Sequence, residues 1–152
     1  MTNNDVLRKI RYIFDFSDDK MISLFDLGNL EVNRAQISDW LKKEEDPDHK
    51  NIYDKQFAHF LNGLIVDKRG AREGPPMQAE KSINNNIILR KIKIALNLKV
   101  EDMVDIFDEA DIHVSKHEIS AFFRKPGQKQ YRECKDQFLR NFLMGLQLRN
   151  RK

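Results

Sequence analysis

Apolar residues recur at three- and four-residue spacing along most of this chain, with charged residues between them, which is the signature of amphipathic helices. Val6, Leu7, Ile10, Ile13 and Phe14, interleaved with Arg8, Lys9 and Arg11, predict a first helix capped by Asn4 and ending near Phe16. Asp18 and Asp19 supply first-turn negative charge for a second helix carrying Met21, Ile22, Leu24 and Phe25, and Gly28-Asn29 reads as its stop. A third opens at Asn33 with Gln36 completing a capping box, and presents Ile37, Trp40 and Leu41. Residues 44–51 are polar, contain Pro47 and read as a loop. The fourth and most apolar helix starts near Tyr53 and runs through Phe57, Phe60, Leu61, Leu64 and Ile65. Gly63 interrupts it, at a usual cost of about 1 kcal/mol relative to alanine.

The whole pattern then returns. Asn3-Asn4-Asp5-Val6-Leu7-Arg8-Lys9-Ile10 is echoed 82 positions later by Asn85-Asn86-Ile87-Ile88-Leu89-Arg90-Lys91-Ile92, and sliding residues 3–69 onto 85–151 without a gap gives 19 identities in 67 positions. Average residue usage would give about four. The chain is a tandem duplication. Leu89, Ile92, Ala95 and Leu96 form the second copy's first apolar face; Met103, Val104, Ile106 and Phe107 form the next. Ser115 and Glu118 make a capping box before Ile119, Phe122 and Phe123, with Pro126-Gly127 as the stop, and the last helix, from about Cys134 to Leu148, carries Phe138, Leu139, Phe142, Leu143 and Leu146. Gly145 matches Gly63, and the shared glycine predicts a close crossing by another helix that a methyl group would obstruct.

Period-two alternation is absent, so no sheet is expected. Gly70, Gly74, Pro75 and Pro76 mark a flexible linker. The expected architecture is therefore all-α: a small four-helix unit duplicated in tandem, residues 1–69 and 85–152 with a linker at 70–84, as two pseudo-symmetric halves packed together. Packing between the halves is expected because units of about 67 residues bury only about 60% of their unfolded surface.

Composition removes several function classes. No apolar run approaches 18 residues, so no transmembrane helix is expected, and the first twenty residues carry Asp5, Asp15, Asp18 and Asp19 in place of a secretory signal. The cytoplasm is the default location. Cys134 is the single cysteine and reads as a small buried hydrophobe, since His49, His59, His113 and His117 show no partner spacing to it. His113 and His117 are four apart, but Ser115 starts the helix between them, so no metal site is assigned. No phosphate-binding glycine loop occurs, Asp18, Asp19, Glu101, Asp102 and Asp105 belong to helix N-termini more naturally than to acid–base chemistry, and no cofactor is expected. The net charge of +3 conceals an asymmetry: residues 1–82 hold 13 Lys/Arg and 15 Asp/Glu, residues 83–152 hold 14 and 9.

Five stretches carry a resemblance to a known family: Asn4-Asp5-Val6-Leu7-Arg8; Trp40-Leu41-Lys42-Lys43-Glu44; Phe60 to Ile65 with Lys68-Arg69-Gly70; Asn84-Asn85-Asn86-Ile87; and Arg132 to Arg140. They lie in both copies, and the chain resembles the domain-of-unknown-function family DUF1456 over nearly its whole length. The resemblance implies a bacterial, cytoplasmic protein with two tandem domains; it brings no activity and no functional residues.

Two function classes follow. A non-enzymatic binding or regulatory module with a protein partner fits the lack of chemistry and the grooves that paired helices leave. The alternative is nucleic-acid binding, because the second and third helices of each copy loosely resemble a helix-turn-helix. Its contacts, or those of an acidic partner, would be Arg34, Lys42 and Lys43 in the first copy and Lys116, Arg124, Lys125, Lys129 and Arg132 in the second. The turn is longer than the usual three or four residues and the first copy is slightly acidic, which favours the protein partner.

Overall fold

The computed structural model describes residues 1–151. Its helices are α1 (Asn3–Phe14), α2 (Asp18–Leu27), α3 (Arg34–Leu41), α4 (Asp54–Arg69), α5 (Asn85–Ala95), α6 (Val100–Glu109), α7 (Lys116–Phe122) and α8 (Asp136–Asn150). Among the described residues there is no strand, and no helix is long and apolar enough to cross a membrane. The chain falls into two compact units, Met1–Ile83 and the residues from Asn84 on. The all-α duplicated plan read from the sequence is the one observed.

In the first unit α2 packs chiefly on α4, with α3 against α2 and α1 against both α3 and α4. Val6, Leu7, Ile10, Met21, Leu24, Phe25, Ile37, Phe57, Phe60 and Leu61 close the core almost completely to solvent. Phe25 lies at its centre, 5.0 Å from the Phe60 ring and 5.3 Å from Trp40. The second unit repeats this with α6 on α8, where Phe107 and Phe142 stand 5.6 Å apart. These are the residues the helical spacing assigned to buried faces, and their burial supplies the main drive to fold.

Each α2–α4 type crossing is closed by glycine. A Cβ built on Gly63 would lie 1.6 Å from the carbonyl oxygen of Leu24, and one on Gly145 would lie 1.9 Å from that of Ile106. The close approach expected from the shared glycine is present in both units. Gly28 meets the same crossing from the other side, 1.7 Å from the His59 carbonyl oxygen, and the left-handed residue ending α2 is Asn29 at φ 69°. Gly28 is thus needed for proximity, not for its dihedral freedom. The helix exits also repeat: Asp15 and Asn97 both have φ 54°, and Asp111 has φ 60° at the position matching Asn29. Short polar side chains tolerate this region better than others.

Local capping follows the sequence at α3 and α7, where Asn33–Gln36 and Ser115–Glu118 form reciprocal capping boxes. It departs at α1. Thr2, not Asn4, is the cap: its hydroxyl accepts from the Asp5 N–H at 3.1 Å, and the Asp5 carboxylate accepts from the Thr2 N–H at 2.9 Å. Asn4 is buried within the first turn, where its side-chain amide meets backbone groups from distant segments. Likewise α7 ends at Phe122, short of the expected stop at Pro126-Gly127. Residues 70–83 contain no helix, and hydrogen bonds tie them to the helices of the first unit. The Asp54 carboxylate accepts from the Ile83 N–H at 3.1 Å, and the Asn62 amide donates to the Gln78 carbonyl at 3.4 Å.

Candidate functional site

The asparagine pair that opens each repeat is structural. Asn4 Nδ2 donates to the carbonyls of Trp40 and Lys50, both at 2.8 Å, and its Oδ1 accepts from the Ile52 N–H at 3.2 Å. Exactly 82 positions on, Asn86 Nδ2 donates to Phe122 at 3.0 Å and Arg132 at 2.8 Å, and accepts from Cys134 at 2.8 Å. The neighbouring Asn3 and Asn85 bind Asp54 and Asp136 at 2.8 and 2.7 Å. One buried amide thus fastens the first helix of each unit to the end of the third helix and to the loop before the fourth. A satisfied amide of this kind fixes the fold and leaves no group free for chemistry.

Four of the eight basic residues proposed as contacts, Arg34, Lys42, Lys116 and Arg132, are likewise committed within their own unit. Arg34 pairs with Asp18 at 3.3 Å and Asp19 at 2.5 Å. Lys42 pairs with Asp39 at 2.9 Å, a hydrogen bond that raises its pKa. Its backbone carbonyl also accepts from Arg8 and His49. Lys116 pairs with Glu101 at 3.3 Å, and Arg132 pairs with Glu118 at 3.0 Å while its guanidinium lies 4.7 Å from the Phe138 ring centre. Arg124 is half-buried, and its Nε has no hydrogen-bond partner among the described residues. Lys43, Lys125 and Lys129 are exposed. In the second unit Lys125 and Lys129 lie in the connection after α7, and in the first the one cation of α3, Arg34, is paired with Asp18 and Asp19.

Burial pushes the Cys134 thiol up to about 12, and the side chain is closed to solvent. His113 precedes α7, with Nδ1 3.5 Å from Asp108, and His117 is exposed on its first turn.

The feature that periodicity did not single out is an edge where the two units differ. Where the C-terminal end of α2 meets α4, Asp26, Leu27, Asn62 and Val66 line a recess together with Arg72 and Met77 of the non-helical segment that follows α4. Asn62 is 2% exposed there. The matching positions on α8 are Met144 and Leu148, which are 40% and 42% exposed. Asp105, Asp108, Glu109, Asp111 and Arg149, the last next in sequence to Leu148, line an open recess of about 590 Å³. The sequence held a signal for this: aligning the copies places Met144 opposite Asn62 and Asp111 opposite Asn29, so the same surface turns more apolar on one helix and more acidic on the other.

The family whose description reads "Protein of unknown function (DUF1456)" matches residues 3–70 and again 85–152, one match for each copy. The chain belongs to the DUF1456 family. It is also 44% identical over 150 residues to the "Uncharacterized protein YehS" of Escherichia coli strain K12, covering 98% of this chain and 96% of that one. No solved structure matches the chain. The family match coincides with the duplicated helical units.

Proposed function

We propose that this DUF1456 chain is a non-enzymatic protein-binding module of the bacterial cytoplasm, and that the α6–α8 edge of its second unit is the contact surface. The observation that carries this reading is the pair Met144 and Leu148, one helical turn apart and each about two-fifths exposed, at positions whose counterparts in the first unit include the buried Asn62. Single exposed apolar residues are ordinary on protein surfaces, but two on one stripe, the second next in sequence to Arg149 of the charged recess, make a surface that gains from being covered. Covering the two-fifths of each side chain that is still exposed would contribute roughly 0.6–1.2 kcal/mol each. The committed state of Arg34, Lys42, Lys116 and Arg132 supports the same choice, since these cations already have carboxylate partners. A photo-reactive amino acid placed at Leu148 in living bacteria is expected to give a covalent adduct with another protein, and one placed at exposed Glu45 is not. No adduct from position 148 overturns the proposal.

A second reading, nucleic-acid binding, is favoured by one observation: Lys125 and Lys129 are exposed without an ion pair among the described residues in the connection after α7. Random duplex DNA measured at about 50 and 200 mM salt tests it, because each phosphate contact adds to the loss of affinity with salt. Absence of binding at the lower salt removes this reading.

A further inference from the structure

We infer that the α6–α8 edge accepts a short extended peptide segment of basic and apolar character, in the place where the first unit holds its own segment around Arg72 and Met77. The inference rests on the protein-binding reading above and specifies the partner's chemistry.

The first unit shows how such an edge is covered. Its segment leaves α4 at Gly70, and Pro75 and Pro76 bias the chain towards extended backbone. Arg72 and Met77 then line one recess together with Asp26 and Leu27 of α2 and with Asn62 and Val66 of α4. The Gln78 carbonyl takes a hydrogen bond from the Asn62 amide at 3.4 Å. The occupant is thus a non-helical stretch that offers a cation, an apolar side chain and a backbone acceptor.

The second unit keeps the geometry and changes the chemistry. Asn62 becomes Met144 and Val66 becomes Leu148, so the α8 stripe trades a buried amide for an exposed thioether and gains an exposed leucine. On α6 and the turn after it, Ser23, Leu27 and Asn29 become Asp105, Glu109 and Asp111, while Asp26 is kept as Asp108. Among the described residues, Asp105, Asp108, Asp111 and Glu109, the last already engaged within the chain, line a recess with the Arg149 guanidinium, and Asp108 also lies 3.5 Å from His113. Charge complementarity selects a cationic ligand for that rim, and the exposed Met144 and Leu148 select an apolar side chain beside the cation. Methionine suits such a role because its flexible thioether adapts to differing partners.

The test uses the full chain and a fluorescein-labelled probe, Ala-Arg-Lys-Gly-Pro-Pro-Met-Gln, which is the segment 71–78 with Glu73→Lys. Its counterpart is the same native segment with Arg72→Glu. Anisotropy titrations at about 50 mM salt are expected to show at least tenfold tighter binding of the basic peptide. The double substitution Met144→Asp with Leu148→Asp should weaken it at least tenfold, and Asp105→Lys with Asp108→Lys should reverse the preference between the peptides. Both substituted pairs lie on the surface, and thermal melting verifies that they fold; if the α8 pair melts early, Leu148→Gln alone replaces it. Equal affinity for the two peptides, no binding of the basic one, or binding unaffected by the α8 substitutions overturns the inference. So does concentration-dependent dimerisation abolished by those substitutions, since a second copy would then be the occupant. If the probe at Leu148 still captures a protein while the basic peptide does not bind, the protein-binding reading stands and only this inference falls.

Discussion

A Cβ atom on Gly63 would sit 1.6 Å from the carbonyl oxygen of Leu24, a separation no packed structure tolerates. The two helices touch backbone to backbone, and Gly28 closes the same crossing from α2, 1.7 Å from the His59 carbonyl oxygen. Alanine in a helix interior ordinarily stabilises by about 1 kcal/mol relative to glycine, but a clash with backbone cannot be relieved by turning a side chain. Gly63→Ala and Gly145→Ala should each lower the stability of their unit by about 2 kcal/mol or more in denaturant titrations. An increase in melting temperature for both would show that the helices separate easily at this point. Gly28→Ala should be equally damaging, although the second unit carries Ala110 at the matching position.

The buried amides of Asn4 and Asn86 should be among the most sensitive positions in the chain. Replacing either with alanine leaves a buried carbonyl, a buried N–H and a part-buried carbonyl without their partner, and each fully buried group costs about 1–3 kcal/mol. The aspartate substitution is the sharper test, because it turns the two-fold donor into an acceptor facing two carbonyl oxygens. Asn4→Asp is therefore expected to destabilise more than Asn4→Ala at neutral pH, measured by chemical denaturation, and Asn86 should behave alike. Equal effects of the two substitutions would mean that the amide hydrogens contribute little.

Cys134 should be inert in the folded protein. Its thiol is closed to solvent and burial raises its pKa to about 12, so almost no thiolate exists at neutral pH. A thiol reagent is expected to modify it only in denaturant, at a rate that follows unfolding of the second unit. Rapid modification of the native chain would contradict its place in the core.

The Glu118 carboxyl links acidity to stability in the second unit. The Ser115 backbone N–H is the main cause that lowers its pKa, and Arg132 adds to it. A carboxylate lowered in this way stabilises the fold fully above its unfolded value near 4.5, and the contribution disappears as pH falls through the lower folded value. Because the side chain is 42% exposed and partly screened, the effect should stay under about 1 kcal/mol. The stability difference between the native chain and Glu118→Gln should therefore be flat from pH 5 to 7 and shrink only below about 4.5. A difference that grows on acidification would reverse the sign.

Short-range features were legible without coordinates, because their causes lie within a few residues. The capping boxes at Asn33–Gln36 and Ser115–Glu118 need only a three-residue spacing, and the apolar stripes holding Phe25, Phe60, Phe107 and Phe142 need only the helical period. Asn4 was misleading for the same reason. It has a good cap's chemistry, but its partners are 36, 46 and 48 residues away, and no local rule can weigh them against a cap. The basic residues suffered similarly: Arg34 looks like a free contact until folding brings α2's first turn beside it.

The amino-acid order alone determined that one helical unit was copied, which faces are apolar, and that glycine recurs at matching points of the two fourth helices. These follow from periodicity and from comparing the copies. Tertiary structure decided what each polar residue is for, which cations are neutralised, and that Asn62 is buried while its counterpart Met144 is exposed. The physical reason is that helix formation depends on neighbours along the chain, whereas hydrogen-bond satisfaction, ion pairing and exposure depend on neighbours that only folding supplies.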